Sequence, residues 1–407
     1  MTVESLEERL RPLPDGWAVG QLGRLPSVTV IGYGITRPGD HVDNGVGMIR
    51  AADVQDGHLS IHEPRRISFS THAANARSEL RTGDLVVVLV GRVGEAAVVT
   101  SVHGGWNASR TVAIVRTADP DEAAWLRLWL GSPYVRDWCE RRVISSTLQR
   151  TLSLATLREL PVPLPPARQR ASFVHTMGVV EAKSTVNNHI AECSVALSDA
   201  RFAVEAHAHS AWPEQSFGAL VDLRSGSTPR PRPDESSTEV GTAFVAPADI
   251  LRSHLPYLYP APSWLSASGE ARVCPPRSLL VATRDDGVRA VLNEMPVAPG
   301  RGILTLQPET PSDAYWLLHE IRSRSTELTS TAQGAGGREL SRRAFGATTL
   351  RWPPSEVRDR FAQVANGLHL RALAARRENE ILRDLRGRLL DRFLDGTSAT
   401  EPVRHPR

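Results

Sequence analysis

The same junction occurs twice in this chain, and it determines how the chain can be divided. "LPVPLPPARQ" (Leu160–Gln169) and "TLRWPPSEVRDRF" (Thr349–Phe361) each place a Pro-Pro pair immediately before a long segment with few helix breakers. Proline fixes φ and lacks a backbone N–H, so neither Pro-Pro pair can lie inside a helix. Each junction therefore marks the end of one folded region and the start of a long helix.

The regions that precede the two junctions repeat each other. Segments of similar pattern recur in the same order: "GYGITRPG" with "LRSGSTPRP", "IRAADVQDGHL" with "AFVAPADILRSHL", "LRTGDLVVVLVGRVGEAAVV" with "CPPRSLLVATRDDGVRAVL", and "EAAWLRLWLGS" with "DAYWLLHEIRS". Their separation stays between about 188 and 196 residues, whereas chance similarities would not keep one order and one spacing. We therefore expect an internal duplication, in which one domain-plus-helix unit is built twice.

Each copy mixes strand and helix patterns. Short β-branched runs bounded by Gly, Pro and Asp are typical of strands, and "GDLVVVLVGRVGEAAVV" predicts a hairpin whose turn uses Gly91 and Gly94. "EAAWLRLWLGS" has apolar residues at helical spacing and ends at Gly131, a favourable C-cap residue. The predicted fold class is α+β, with two pseudo-repeated α/β domains separated by two long antiparallel coiled-coil helices.

The predicted boundaries follow from the two junctions. They are residues 1–166 for the first domain, 167–207 for the first spacer helix, 208–354 for the second domain, 355–395 for the second spacer helix and 396–407 for a flexible tail.

Both spacer segments carry coiled-coil patterns. The predicted seam of the first helix is Val179, Val186, Ile190, Cys193, Leu197, Ala200 and Val204. The predicted seam of the second helix is Phe361, Ala365, Leu368, Ala372, Ala375, Asn379, Leu382, Leu389 and Phe393, with Asn379 setting the register and Arg386 as a break. A helix of ~35 residues is ~50 Å long, too long to be one more element of such a domain. We expect the two helices to pair; the alternative is two separate helices, each buried in its own domain.

Composition and motifs argue against catalysis and metal binding. Cys139, Cys193 and Cys274 are far apart, and "HEPRR" lacks the second His of a zinc-binding helix. Lys183 is the only lysine and lies in no phosphate-binding loop, and no GxSxG motif occurs. None of the Pro-Pro pairs follows Asn or Asp or precedes an aromatic residue, as an adenine-N6 methyltransferase would require. We expect a chain without a catalytic or metal site.

Targeting signals are also missing from the sequence. The N-terminus is acidic, and the longest apolar run, "LVVVLV", is much shorter than the ~20 residues that span a bilayer. A soluble, cytoplasmic protein is expected.

In this order and repetition, the segments resemble the specificity subunits of type I restriction-modification systems. The resemblance is carried by "LPDGW" (Leu13–Trp17), "YGITRPG" (Tyr33–Gly39), "IRAADVQDGHL" (Ile49–Leu59), "GDLVVVLVGRVGEAAVV" (Gly83–Val99) and "STLQRTLSLATLRELPVPLPPARQR" (Ser146–Arg170). It covers nearly the whole chain up to Gly396. The second half departs from the pattern: it lacks the Gly-Asp of "TGDLVVVLVGRV", and "APGRGILTL" replaces "WNASRTVAIV".

The resemblance implies a non-catalytic subunit that serves defence against foreign DNA. Each half would be a target recognition domain that reads one part of a bipartite duplex DNA sequence. The helices would act as a ruler and as a docking surface for modification (methyltransferase) subunits, two of them. DNA methylation at adenine N6 with S-adenosylmethionine, and ATP- and Mg-dependent restriction by a restriction/translocase subunit, would take place on those partners. No cofactor is implied on this chain.

Polar residues on predicted loops are the candidates for DNA contact. Arg can grip phosphate or a guanine edge through two parallel hydrogen bonds, and Asn suits adenine. The candidates in the first domain are Thr36, Arg37, Arg50, Arg92, Asn107, Ser109, Arg110, Thr147, Gln149 and Arg150. Those in the second are Thr228, Arg230, Arg284, Arg289, Arg338, Arg342 and Arg343. Trp125, Trp129 and Trp138 are expected in the core rather than on a stacking surface for single strands.

Two other functions remain open on the sequence alone. The chain could be a scaffold that uses its helical pair to assemble a defence complex and reads no bases. It could also be a hydrolase whose residues form no known motif, which predicts turnover by the isolated chain.

Overall fold

The computed structural model describes most of the chain as two compact units. The described residues are 6, 10, 13–55, 57–61, 63–143, 150–207, 212–227, 242–251, 253, 255–258, 263–265, 273–283, 287–332 and 339–396. The first unit comprises residues 1–183 and 381–407, and the second comprises residues 184–380. The predicted tail therefore lies outside the described residues, apart from Gly396.

The first unit begins with a mostly antiparallel set of short strands. Its strands are β1 (Ala18–Gln21), β2 (Val28–Tyr33), β3 (Val46–Ile49), β4 (Val54–Gln55), β5 (His58–Leu59), β6 (Arg65–Ile67), β7 (Leu85–Val88), β8 (Ala96–Val98), β9 (Asn107–Ala108), β10 (Val112–Thr117) and β11 (Pro161–Leu164). Its helices are α1 (Phe69–Ala74), α2 (Pro120–Leu130), α3 (Pro133–Arg141) and α4 (Leu154–Arg158). The first long helix, α5 (Ala167–His207), starts directly after Pro165-Pro166.

The second unit has a shorter version of the same element list. Its strands are β12 (Glu214–Ser216), β13 (Asp222–Ser225), β14 (Thr242–Val245), β15 (Ser263–Leu265), β16 (Leu279–Ala282), β17 (Arg289–Leu292), β18 (Val297–Pro299), β19 (Ile303–Gln307) and β20 (Thr349–Arg351). Its helices are α6 (Phe217–Leu220), α7 (Pro247–Leu251), α8 (Pro311–Ser323), α9 (Ser325–Ser330) and α10 (Arg342–Ala347). The second long helix is α11 (Ser355–Leu394).

The sheet topology confirms the predicted internal duplication. The first unit has a four-stranded antiparallel sheet of order β2-β10-β7-β8, and the second has one of order β13-β19-β16-β17. A three-stranded sheet with one parallel pair follows in both, as β6-β3-β9 and β15-β14-β18. The strand before each Pro-Pro pair closes back on the first strand of its own unit, as β1-β11 and β12-β20. The same connectivity appears twice, in the same order.

The predicted hairpin and the predicted tryptophan core are also confirmed. Strands β7 and β8 pair antiparallel, and the turn between them contains Gly91 at φ 88° and Gly94 at φ 85°, a region that favours glycine. Trp125, Trp129 and Trp138 are all buried. The indole N–H groups of Trp125 and Trp129 each donate a 2.9 Å hydrogen bond to a backbone carbonyl of β11. These tryptophans therefore fix the proline-rich strand that leads into α5.

In each unit, a buried tryptophan of the mixed α/β domain contacts one phenylalanine from each long helix. In the first unit the Trp125 ring lies 6.0 Å from Phe173 of α5 and 5.7 Å from Phe393 of α11. Phe173 and Phe393 stack on each other at 4.1 Å.

The second unit repeats this contact with different residues of the same two helices. Trp316 of α8 lies 4.9 Å from Phe202 of α5 and 5.6 Å from Phe361 of α11. In both units, residues early in one long helix meet residues late in the other, so the helices pair antiparallel as predicted. The alternative of two separate helices does not hold.

The predicted seam of α5 is wrong. Val179, Val186, Leu197 and Val204 are each more than half exposed, and Cys193 is exposed as well. The buried positions are instead Phe173, Met177, Glu181, Asn187, Ala191, Ser194, Val195, Ser198, Phe202 and Glu205. Small and polar side chains hold many of these sites because other elements supply their partners. Hydrophobicity alone therefore indicated a different face of the helix.

The seam of α11 follows its prediction more closely. Phe361, Ala365, Ala372 and Ala375 are buried. Arg386, which interrupts the pattern, forms a 2.9 Å ion pair with Glu181 of α5 in the first unit. The break in the apolar pattern is thus compensated by a buried acid on the facing helix.

Candidate nucleic-acid interface

Three loops of the first unit converge at one point, which we call the first loop junction (Ile35, Ile49 and Ala108–Arg110). Ile35 donates its backbone N–H to the Ala108 carbonyl at 2.7 Å, and Arg110 donates back to the Ile35 carbonyl at 2.9 Å. Ser109 donates to the Ile49 carbonyl at 2.9 Å. These bonds place five of the predicted contact residues on adjacent loops: Thr36, Arg37, Arg50, Ser109 and Arg110.

Glycine is required where these loops touch. A Cβ atom on Gly34 would lie 2.2 Å from the carbonyl oxygen of Ala108 and 2.4 Å from that of Ser109. Neither atom can move without breaking the backbone pairing of the junction. Gly34 is thus a position of close backbone approach, and it brings the 35–37 loop onto the 108–110 loop.

The side chains at the first loop junction differ in how freely they can reach a ligand. Thr36, Arg37 and Arg110 are exposed. Arg50 is fixed to the buried Asp53 by hydrogen bonds of 3.1 Å from Nε and 3.0 Å from a terminal nitrogen, and these bonds raise the pKa of its guanidinium. Arg37 and Arg110 are therefore the cations best placed for an external anion or base edge.

Two further arginines support this surface and were missed in the sequence. Arg65 and Arg66 of β6 donate to the carbonyls of Gly39 and Gly45, at 2.6 Å and 3.0 Å. They tie down the loop that carries Arg37. The signal available in the sequence was the basic pair in "HEPRR", which was considered only as part of a possible zinc motif.

The structure gives Asn107 an interior position. Its side chain is fully buried; Oδ1 lies 2.6 Å from His72 Nδ1, and Nδ2 donates to Ser78 Oγ at 3.0 Å. Ser109 is nearly buried too, with its hydroxyl 2.6 Å from Thr111 Oγ1. Both side chains brace the junction from behind, and the exposed member of "NASRT" is Arg110.

Arg92 and Arg150 both lie at the β7–β8 turn, apart from the first loop junction. Gly91 donates its N–H to the Arg150 carbonyl at 3.0 Å. Arg92 donates to the Val54 carbonyl at 2.6 Å and lies 3.4 Å from Glu95, while Arg150 lies 3.7 Å from Glu140. Both side chains are about half exposed. Thr147 and Gln149 lie outside the described residues.

The second unit contains the same arrangement, which we call the second loop junction (Ser227, Val245 and Pro299–Arg301). Ser227 donates to the Pro299 carbonyl at 3.1 Å, and Gly300 donates to the Val245 carbonyl at 2.8 Å. A Cβ on Gly226 would lie 2.2 Å from the Gly300 carbonyl oxygen, as on Gly34 in the first unit.

Arg301 occupies the place of Arg110 at this second loop junction, and the sequence-based list missed it. It directly follows Gly300, as Arg110 follows Ser109, and its side chain is exposed. The available signal was register: each arginine lies two residues before a paired strand, β10 or β19. The loss of similarity between "WNASRTVAIV" and "APGRGILTL" concealed the correspondence.

The other predicted residues of the second unit are dispersed. Arg289 of β17 donates to the carbonyls of Leu251 and Ser253, at 2.8 Å and 2.6 Å. Arg342 and Arg343 are exposed at the start of α10, which Ser341 caps. Thr228, Arg230, Arg284 and Arg338 lie outside the described residues.

Two general features of the described residues bear on function. They include no cluster of three or more His, Cys, Asp or Glu side chains arranged to hold a metal ion. Of the helices among them, none combines the length and the apolar character needed to cross a membrane.

The duplicated domains and the antiparallel helical pair define the fold of type I restriction-modification specificity subunits. The crystal structure of such a subunit from M. genitalium has 12% sequence identity to this chain and a TM-score of 0.50, with 94% of this chain and 97% of that one covered. A chain from a study of complex assembly and conformational transition of the type I restriction-modification system has 18% identity and a TM-score of 0.43, with 95% and 99% coverage.

One curated relative is similar in sequence. The specificity subunit of the type I restriction enzyme EcoBI from Escherichia coli is 26% identical over 188 residues. That alignment covers 44% of this chain, and it spans 39% of the length of the relative. No family model matches the chain.

Proposed function

We propose that this chain is the sequence-specific DNA-binding subunit of a type I restriction-modification complex and recognises a bipartite duplex target. The observation that carries the proposal is the duplicated loop junction with an exposed arginine in each copy, Arg110 and Arg301. Two copies of one recognition site, on one chain, are what a target with two separate half-sites requires. The resemblance to specificity subunits agrees with this reading.

The chemistry of the junctions suits duplex DNA. An exposed guanidinium can hydrogen-bond a guanine edge through O6 and N7, or grip a phosphate. Arg37 adds positive charge on the loop beside Arg110, and Arg65 and Arg66 hold that loop in place. We assign Arg110 and Arg301 to base reading, and we assign Arg37, Arg92, Arg150, Arg342 and Arg343 to the phosphate backbone.

Partner subunits have a suitable docking surface on α5. In the second unit its solvent side exposes Val186, Cys193, Leu197, Ala200 and Val204, and the half-buried Ile190 completes their alternating three- and four-residue spacing. Such a stripe is the seam of a coiled coil that lacks its partner helix, and exposed apolar surface of this kind is typical of an interaction site. We propose that modification subunits, two per complex, place a helix against the long helices of this chain.

This assignment leaves the chemistry to the partners. The modification subunits would methylate adenine N6 with S-adenosylmethionine, and a restriction/translocase subunit, where present, would use ATP and Mg. The chain described here would carry out no catalysis and bind no cofactor. The alternative is a scaffold that reads no bases. That hypothesis gives the two loop junctions no function.

Random-site selection with the full chain tests the DNA assignment. A split motif with a fixed spacer should be enriched, and N6-methyladenine should disappear from the same motif in the genome when the gene is deleted. Enrichment of no sequence would overturn the proposal in favour of the scaffold.

The partner assignment is tested separately by Leu197→Arg, with Ala203→Arg on another exposed face of the same helix as the control. Leu197→Arg should prevent co-purification with the modification subunit and leave the selected motif unchanged. Equal co-purification of both variants would exclude this stripe as the docking surface.

A further inference from the structure

A chain of buried hydrogen bonds joins both long helices to the recognition domain of the second unit. Tyr257 Oη lies 2.5 Å from His369 Nδ1, and His369 Nε2 lies 3.0 Å from His319 Nε2. His319 Nδ1 lies 2.6 Å from Asp199 Oδ1. Tyr257, His319 and His369 are at most 1% exposed. The chain therefore runs through the interior, from a loop of the recognition domain to the surface of α5.

The protons of this chain can be placed in one direction. Arg322 donates to both oxygens of Asp199, at 3.0 Å and 2.7 Å, so the carboxylate is ionised and accepts from His319 Nδ1–H. When both imidazoles are neutral, His319 Nε2 is an acceptor and His369 donates to it through its own Nε2; the Ser198 hydroxyl lies 2.9 Å from the same His319 nitrogen. His369 Nδ1 in turn accepts from the Tyr257 hydroxyl. With both imidazoles neutral, each ring nitrogen has a partner that suits its role as donor or acceptor.

The surroundings keep both imidazoles neutral. Burial lowers the pKa of His369 to about 3, with the neighbouring His319 and Arg322 acting in the same direction. Burial also lowers the pKa of His319, although Asp199 partly opposes that effect. Tyr315 of α8 stacks on His369 with ring centres 4.9 Å apart and closes the remaining side.

The chain of hydrogen bonds joins the elements that determine how the domain is oriented on the long helices. Asp199 belongs to α5, His369 to α11, and His319 to α8, the helix that carries the Trp316 contact. The Trp316 contact is apolar and tolerates small shifts, because dispersion and burial have little directionality. A satisfied buried polar chain, in contrast, is made in only one arrangement.

The first unit uses different chemistry at the same place. Arg127 of α2 pairs with Glu181 of α5 through two contacts of 2.8 Å and 2.5 Å, and Arg386 of α11 contacts the same glutamate. Here an arginine–glutamate pair with two parallel hydrogen bonds connects the domain to the helices. The two units thus share the aromatic contact and an arginine–aspartate pair, Arg170–Asp119 and Arg358–Asp313, while the described residues form the buried histidine chain in the second unit.

We propose that Tyr257, His319 and His369 are positioning residues that hold the second recognition domain in one orientation on the long helices and so set the spacer length accepted between the two half-sites. This inference rests on the proposed function. One base pair more or less moves a half-site by about 3.4 Å along the duplex and turns it by about 34–36°. A domain held by the intact hydrogen-bond chain follows that change less readily than a domain held by the Trp316 contact and the remaining polar contacts, such as Arg358–Asp313 and Arg377–Glu294.

The experiment is a selection by the full chain from duplexes in which the two half-sites are separated by spacers of varied length. The measured quantity is the enrichment at the best spacer relative to spacers one base pair shorter or longer. For the unaltered chain we expect a ratio of about tenfold or more, the scale of a single unfavourable base pair. His369→Leu, which removes the link between Tyr257 and His319, should lower the ratio severalfold.

Two further variants separate positioning from simple destabilisation. His369→Gln keeps a donor near His319 Nε2 and should restore most of the ratio. Asn293→Ala removes a buried amide whose bonds, to the carbonyls of Pro275 and Met295, stay within the recognition domain. It should lower the melting temperature and leave the ratio unchanged. Tyr257→Phe is a milder break of the chain should His369→Leu fail to fold.

The outcomes are distinguishable. An unchanged ratio in folded His369→Leu and Tyr257→Phe would overturn the positioning role while the proposed function stands. Enrichment of no split motif by the unaltered chain would overturn the proposed function and this inference with it.

Discussion

Asn187 of α5 donates a hydrogen bond from Nδ2 to Oδ1 of Asn379 of α11, at 3.0 Å, between the two long helices of the second unit. Asn379 in turn donates from its own Nδ2 to Asn188 Oδ1 at 2.7 Å and to the Ser184 carbonyl at 3.2 Å. A polar residue at a coiled-coil seam position specifies register, because any slip leaves its amide without partners. Asn379 therefore fixes which residues of α5 face which residues of α11.

This pairing predicts a measurable coupling. Asn379→Ala should lower the free energy of unfolding by about 1–3 kcal/mol, because the buried amide of Asn187 loses a partner. Combined with Asn187→Ala in a double-mutant cycle, it should give a coupling energy of about 0.5–3 kcal/mol in urea titrations. Gln363→Ala, an exposed position of α11, should stay within about 0.5 kcal/mol of the unaltered chain. Strictly additive effects would show that the two asparagines act independently.

The two junction arginines should each govern one half-site. Arg110→Ala should cost about 1–3 kcal/mol of discrimination at one base position of one half-site, and Arg301→Ala should do the same at the other. Binding to a panel of single-base variants of the selected motif measures this effect. Arg383→Ala, an exposed arginine of α11, is the matched control and should leave the panel unchanged. A loss that is uniform across unrelated sequences would assign the residue to a phosphate instead.

Gly34 and Gly32 form a pair for testing the first loop junction. A Cβ on Gly34 would overlap two backbone carbonyls, whereas a Cβ on Gly32 would meet only a Val30 methyl at 3.9 Å. Gly34→Ala should therefore displace the loop of Arg37 and abolish selection of one half-site, with recognition of the other retained. Gly32→Ala should bind like the unaltered chain. If both variants keep the full motif, the close approach at Gly34 is not needed for recognition.

The general fold could be predicted because the same sequence pattern occurs in both halves of the chain. Pro165-Pro166 and Pro353-Pro354 forbid helix, the hairpin at Gly91 and Gly94 needs positive φ, and the repeat gave a second chance to see each pattern. The seam of α5 could not be predicted from hydrophobicity. Its buried face includes Asn187 and Ser198, whose partners come from elements distant in sequence.

The candidate site was only partly accessible to sequence reasoning, for a related reason. Residue type marked Arg37 and Arg110 correctly as exposed cations, but it could not show that Asn107 points inward to His72 and Ser78. Arg301 was missed because equivalence to Arg110 is a property of backbone pairing, and the side chains around it have diverged. Their roles in DNA binding stay predictions until the variants above are measured.

The buried histidines predict a specific dependence of stability on pH. A histidine whose pKa is lowered on folding binds fewer protons in the folded state than in the unfolded chain. Stability is therefore lost as the pH falls below the unfolded pKa of about 6.5. For His369, whose folded pKa is about 3, the loss between about pH 6.5 and 4.5 should be roughly 2–3 kcal/mol.

In the folded state, Asp199, Tyr257 and Tyr315 keep one charge state throughout that window. Burial tends to raise the pKa of Asp199, but the hydrogen bonds from His319 and Arg322 outweigh it and hold that pKa well below the ordinary value. Burial raises the pKa values of Tyr257 and Tyr315 above their ordinary value. His319 is buried like His369, and its lowered pKa also reduces the free energy of unfolding as the pH falls.

Urea titrations of the unaltered chain and of His369→Gln at several pH values isolate this contribution. The difference in free energy of unfolding between the two proteins should change by roughly 2–3 kcal/mol from about pH 6.5 to 4.5, because glutamine takes up no proton. Histidines and carboxylates that do not contact His369 are common to both proteins and cancel in the difference, whereas its hydrogen-bond partner His319 also contributes. Parallel curves would mean that His369 is protonated in the folded chain. The single direction assigned to the hydrogen-bond chain from Tyr257 to Asp199 would then be wrong.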